Sequence, residues 1–211
     1  MNITRFDKCA PDMPASLRRA IGAGREAPVA LLGDHGILEG RLIGFFCSVR
    51  CPGDVILKTL DLARALRDVD VTFVGGFQSP MEREFLDLLL RGSASVVVCP
   101  ARGLDRMRML KVWNPLLDDG RLMFLSFFDD RVRRPTAATA AERNARIAAL
   151  SDTILIAHAE IGGKTEALCR EAIEDGKPVF TLASTDNAHL IELGARPVDA
   201  ANPVVLNQGL A

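Results

Sequence analysis

The stretch ERNARIAALSDTILIAHAEIGGKT (142–165) places two kinds of anion-binding residue close together in sequence. Gly162-Gly163-Lys164-Thr165 follows an apolar run and opens a helical pattern. Glycines let a backbone approach an anion, and a helix start offers unpaired N–H groups with a partial positive charge. The turn is not a Walker P-loop, because that pattern requires a glycine where His158 stands. The alternative is a turn whose glycines only start a helix capped by Thr165, and the residues leave both readings open. Arg143 and Arg146 are spaced i, i+3, which sets two guanidinium groups on one helix face, able to hold phosphate bidentately. Asn144 lies between them. The acids nearby are few, Asp129, Asp130 and Glu142, while Arg131, Arg133 and Arg134 add positive charge. A solvated face with a few ion pairs is the plainer reading of the same arginines.

Two further turns follow apolar runs and precede helical patterns: Gly75-Gly76-Phe77-Gln78-Ser79, and Ser48-Val49-Arg50 with Pro52-Gly53 beyond. Such turns at one edge of a sheet face a common crevice. Catalytic patterns are lacking. His35, His158 and His189 are scattered, and Glu160 and Glu166 beside the Gly-Gly-Lys-Thr turn have no nucleophile elbow or triad order to join. His158 ends an apolar strand and is expected to be a satisfied core or rim histidine. Phe127 and Phe128 could stack on a base, but core packing is the plainer assignment. No catalytic residue is assigned, and the chain reads as a binder rather than an enzyme.

Five cysteines, an odd number, suit reduced thiols in a cytoplasmic protein rather than a disulfide framework. Cys47 and Cys51 have no second Cys/His pair at ligand spacing, so no metal is expected, and no other cofactor. The formal net charge of -1 excludes a global basic field, so an anion site must be a local patch. No segment reads as a signal peptide or as the ~20-residue apolar run that crosses a bilayer.

The elements that must position these turns are legible. Continuous apolar runs at 42–48, 71–76, 95–100, 121–126, 153–159 and 178–183 read as strands covered on both faces. Amphipathic stretches lie between them. Residues 54–68 carry a stripe of Ile56, Leu60, Ala63 and Leu66. Ser79-Pro80-Met81-Glu82 is a capping box with proline at N1, ahead of Met81, Phe85, Leu88 and Leu89. Thr139 and Glu142 suggest a second box, and a last helix runs over 165–175, closed by Gly176. Strand–helix alternation predicts a three-layer, doubly wound, Rossmann-like α/β fold with a mostly parallel sheet of about six or more strands. A length of 211 residues, 48% hydrophobic and 25% charged, suits one such domain. It is placed at 27–200, after an N-terminal extension or cap (1–26) and before a tail (201–211). The polar link 129–141 is the longest between strands.

In order, PVALLGDHGILEG, a strand ending in Ser-x-Arg, Gly-Gly-Phe, LSFFDDRVRRPTAATAAERNARIAALSD, AHAEIGGKTEAL, GKPVFTLA and NAHLIELGA resemble the Smf/DprA family of DNA-processing proteins. The likeness spans about 27–197 and is most specific at Arg143-Asn144-x-Arg146-Ile147. It implies single-stranded DNA in a basic pocket, a homodimer, and a RecA-type recombinase as partner. Carried over by position, Ser48, Arg50, Gly76, Arg143, Asn144, Arg146 and Gly162 to Thr165 line that pocket, and Gly75 joins them from the same turn. The family's Ser-Gly-Ser-x-x-Thr turn is Gly-Gly-Lys-Thr here, and its Ser-Gly-x-Ala turn is Gly75-Gly76-Phe77-Gln78. The related phosphoribohydrolases carry Pro-Gly-Gly-x-Gly-Thr-x-x-Glu, whereas Ile161 to Glu166 lacks the third glycine and brings its acid too early. A nucleotide-binding sensor or enzyme using the same turns is the alternative.

Overall fold

The computed structural model describes residues 3–6, 13–21, 29–105 and 107–203; most of the tail, part of the N-terminal extension, and Cys9 lie outside them. Among the described residues nine strands form one sheet: β1 (Thr4–Phe6), β2 (Val29–Leu32), β3 (Leu42–Cys47), β4 (Thr72–Gly75), β5 (Ser95–Val98), β6 (Leu122–Ser126), β7 (Thr153–His158), β8 (Val179–Leu182) and β9 (Arg196–Val198). Their order is β1-β2-β6-β5-β4-β3-β7-β8-β9. From β6 to β9 every pairing is parallel. At the other edge β2 runs antiparallel to β6 and β1 antiparallel to β2. The six apolar runs are β3 to β8. The sequence patterns missed β1 and β9, three-residue strands at the two edges with too few residues to show a period, and the four-residue β2 between β1 and β6.

Seven described α-helices cover the sheet: α1 (Ala15–Ile21), α2 (Gly53–Leu66), α3 (Pro80–Leu90), α4 (Asn114–Asp118), α5 (Ala137–Leu150), α6 (Lys164–Glu174) and α7 (Ala188–Glu192). One face packs α2, α3 and Leu117 of α4 on Ile43, Phe45, Phe73, Val96 and Phe124. The other packs α1, α5, α6 and α7 on Leu42, Phe46, Val74, Val97 and Ile154. Alternate residues of one strand thus feed opposite cores, as a pleated strand covered on both sides requires.

Two helix expectations need correction. α2 buries Val55, Thr59, Leu62, Ala63 and Leu66, while Ile56 is on the exposed side. The predicted stripe is rotated because both Val55 and Ile56 begin an i, i+4 series and apolarity alone does not choose between them. α5 is capped one turn earlier than predicted: Thr136 and Thr139 form the reciprocal box, and Glu142 is an exposed residue within the helix. Thr139 competes for the N3 place because its hydroxyl reaches back to the Thr136 amide at 2.9 Å. The box at Ser79 and Glu82 stands as predicted. No described helix is long and apolar enough to cross a membrane.

Candidate functional site

The chain leaves β3 outward through β4, β5 and β6, then returns to the opposite side of β3 as β7. The carboxyl ends of β3 and β7 therefore form the topological switch point, where doubly wound sheets open a crevice. The Ser48 amide donates to the His158 carbonyl at 2.9 Å, and the Glu160 amide donates to Ser48 Oγ at 3.0 Å. These two bonds tie the β3–α2 turn to the β7–α6 turn. Arg50 stands above them with its side chain 88% exposed, 4.0 Å from Glu160 Oε1. An ion pair that open to water holds weakly.

The Gly-Gly-Lys-Thr turn begins α6. Gly162 has φ +72 and Gly163 is the N-cap with no side chain to offer. Two of the turn's amides are already used: Gly163 N–H donates to the Glu160 carbonyl, and Gly162 N–H to Glu166 Oε2. The helix start proper, at Lys164 and Thr165, has no side-chain cap. Lys164 is exposed there, a cation at the positive end of a helix, where the macrodipole disfavours it. Glu166 is held by Gly162 and by Arg170 at 3.3 Å, and lies 4.0 Å from His189 Nε2. That nitrogen meets the Ala159 carbonyl at 3.0 Å, so it carries the proton.

Beside this crevice sits the Gly75-Gly76-Phe77 turn at the end of β4. Its glycines serve packing. A Cβ on Gly76 would lie 1.2 Å from Arg143 Nη1, and one on Gly75 would lie 2.7 Å from the Phe77 ring. Phe77 adopts φ 49, a left-handed conformation rare for a bulky residue, and its ring is buried against Gly75. Arg143 is only 4% exposed. Its Nη1 donates to the Cys99 carbonyl at 3.2 Å, its Nε has no partner, and among the described residues it makes no ion pair. Burial lowers the Arg143 pKa, against the carboxylate of Glu82, which raises it. Glu82 is itself buried and accepts from the Cys47, Gln78 and Ser79 amides. Sequence reasoning found Glu82 as a cap but missed that it joins the exit of β3 to the start of α3. Only the approach of the two strand ends shows that bond.

The structure separates the two arginines expected on one face. Arg143 turns inward under Gly76. Arg146 donates to the Ala20 and Ile21 carbonyls at 2.8 and 2.7 Å, satisfying the C-terminus of α1. Orphan carbonyls at a helix end take the nearest donors, and the packing of α1 on α5 put Arg146 there. Asn144 is half-buried on α5. Arg131 is paired with Asp129, whose pKa it lowers, and Asp130 with Arg5, so the 129–134 link is less basic than its arginine count suggests. Phe127 and Phe128 are core residues, as expected.

His158, at the end of β7, is buried with Nδ1 2.8 Å from Asn187 Oδ1. Asn187 spends its amide hydrogens on the Ala157 and Leu182 carbonyls, so its oxygen must face the ring and Nδ1 carries the proton. His158 is thus the satisfied rim histidine expected, with a partner, Asn187, that sequence spacing did not reveal. Among the described residues no three His, Cys, Asp or Glu side chains gather as a ligand set for a metal ion.

No protein-family model and no curated protein matches the sequence. The fold, however, is shared with solved structures. DNA processing protein A (DprA) from Streptococcus pneumoniae aligns at a TM-score of 0.78 and 19% identity, over 97% of this chain and 74% of that one. A structure reporting the single-stranded DNA binding mode of DNA processing protein A from Helicobacter pylori aligns at 0.77 and 18%, over 100% and 98%. The molybdenum cofactor carrier protein of Chlamydomonas reinhardtii aligns at 0.53 and 13%, over 80% and 96%. The Rossmann-like three-layer fold is therefore the one that the sequence resemblance implied.

Proposed function

We propose that this chain is a DprA/Smf-like protein that binds single-stranded DNA through its phosphate backbone at the switch-point crevice. The observation that carries the reading is Arg143, a buried guanidinium directly beside the crevice that makes no ion pair among the described residues and whose Nε has no partner. A buried cation lacking a direct counter-charge is costly, and a phosphate reaching the crevice offsets that cost. Arg50 and Lys164 supply exposed positive charge above it, and the open start of α6 supplies amide donors. Val49 and Ile161, 75% and 77% exposed, lie on the two turns that Ser48 joins. They offer apolar contact to unstacked bases, which a free phosphate would not use. The match to DprA structures over nearly the whole chain supports the same reading. The finer expectations rest on the family resemblance: a role in recombination or DNA uptake, a homodimer, a recombinase partner and a cytoplasmic setting.

Fluorescence anisotropy with a labelled oligonucleotide at low salt tests the proposal. Binding is expected, weakened several-fold by Arg50→Ala or Lys164→Ala. Absence of binding at low salt, or thermal stabilisation by a mononucleotide and none by an oligomer, would instead favour the nucleotide-binding alternative.

A further inference from the structure

The carboxylate of Glu82 sits where a doubly wound sheet commonly receives a ligand anion, between a strand exit and a helix start. Glu82 is the N3 residue of α3 and is 8% exposed. A capping box asks such a glutamate to reach one amide, that of the N-cap. Glu82 holds three. Its Oε2 accepts from the Gln78 and Ser79 amides at 2.8 and 3.1 Å, and its Oε1 accepts from the Cys47 amide at 3.1 Å. Cys47 ends β3, so the third donor comes from a strand 35 residues away, which no cap requires. Three N–H groups converging on one point form an anion cradle. It lies at the carboxyl ends of the paired strands β3 and β4, on the β4 side of the crevice. The Arg143 guanidinium, packed over Gly76, adds positive charge to the turn that supplies the Gln78 amide.

The rest of this helix start is spent as well. Pro80 has no N–H, the Glu82 amide donates to Ser79 Oγ at 3.2 Å, and the Arg83 amide donates to the Ser79 carbonyl at 3.1 Å. The start of α6 differs: Glu166 holds the Gly162 amide alone, and the N-cap Gly163 has no side chain to offer. We propose that Glu82 is a specificity-determining residue, a built-in anion that fills the cradle at the exit of β3 and keeps free and monoester phosphates out of it. A monoester phosphate carries a charge of about −1.5 to −2 and is best held by several donors at one point. Each phosphate of a DNA strand carries a single negative charge, and the open start of α6 with Lys164 suits it. This consequence for ligand choice rests on the DNA-binding reading, whereas the filling of the cradle by Glu82 does not.

Glu82→Ala empties the cradle and leaves room for one formate ion. Melting temperatures of the full chain and of this variant are measured in sodium chloride, formate, propionate and phosphate at equal ionic strength. In chloride the variant is expected to melt about 5 °C or more below the unsubstituted chain, because three buried amides lose their acceptor. Formate is expected to restore at least half of that loss, and propionate, too large for the space, none of it. If the variant is unfolded in chloride, formate is expected to restore its helical circular dichroism. A variant that responds to formate no more than to chloride, folded or unfolded, would overturn the proposal. So would an unsubstituted chain that formate stabilises as strongly as the variant. Exclusion is read with inorganic phosphate and deoxyadenosine monophosphate, which are expected to stabilise Glu82→Ala more than the unsubstituted chain; equal stabilisation removes it. Oligonucleotide anisotropy is recorded on both proteins, and no binding by either counts against the DNA reading while leaving the formate result standing.

Discussion

Arg143 and Gly76 illustrate how one residue type depends on another far away in the chain. The guanidinium occupies the space where any other residue at 76 would place its Cβ. Gly76→Ala is therefore expected to cost about 2 kcal/mol or more in urea unfolding. In an Arg143→Ala background the same change should cost less than about 1 kcal/mol, because the overlap is gone. Equal costs in both backgrounds would show that the contact is not what requires glycine. Asp54 makes a second test. The Ser184 hydroxyl, with help from Lys58, holds its carboxyl down to about 2. The folded value lies below the unfolded one of about 4, so the carboxylate stabilises the fold above that pH and the benefit fades as pH falls towards about 2. Melting temperatures of the chain and of Asp54→Asn should accordingly differ at pH 5 and converge at the acid end. A gap that stays constant would contradict the assignment.

At the scale of elements, helix starts decide where the crevice opens. α3 begins at a reciprocal Ser79–Glu82 box, and the same Glu82 carboxylate holds the Cys47 amide at the end of β3. α5 begins at Thr136 and Thr139, which sets Arg143 two turns into the helix and facing Gly76. Thr136→Ala should lower stability by about 1 kcal/mol. Glu142→Ala, at an exposed site outside the cap, should stay within about 0.5 kcal/mol. Comparable losses would restore the later helix start. α6 has neither a side-chain cap nor a favourable charge in its first residue, since Gly163 is the N-cap and Lys164 opposes the dipole.

Across the whole molecule, positive and negative charges nearly cancel, with a formal net charge of -1. On the proposed function, attraction to a polyanion comes from the few cations at the crevice, chiefly Arg50, Arg143 and Lys164. Three phosphate contacts on a single strand correspond to a slope of about −2 in log affinity against log salt, and Arg50→Ala should make it shallower by about 0.7. Titrations over a range of salt concentrations check both values. A much steeper slope would place additional basic surface in the interface. Such shallow dependence suits a site that grips a short segment rather than a long electrostatic track.

Much of this was written in local patterns. The six central strands appear as apolar runs because parallel strands are covered on both faces, and the Ser79 cap and Gly176 stop need only neighbouring residues to form. The turns carrying Ser48, Gly75 and Gly162 were likewise recognisable as strand-to-helix corners. What only tertiary structure decided is where long side chains go. Arg143 and Arg146 look equivalent three residues apart, yet one fills the space over Gly76 and the other caps α1. Edge strands too short to show a period, the Glu82 bond to Cys47 and the His158–Asn187 pair depend on segments distant in sequence that only packing brings within hydrogen-bonding distance.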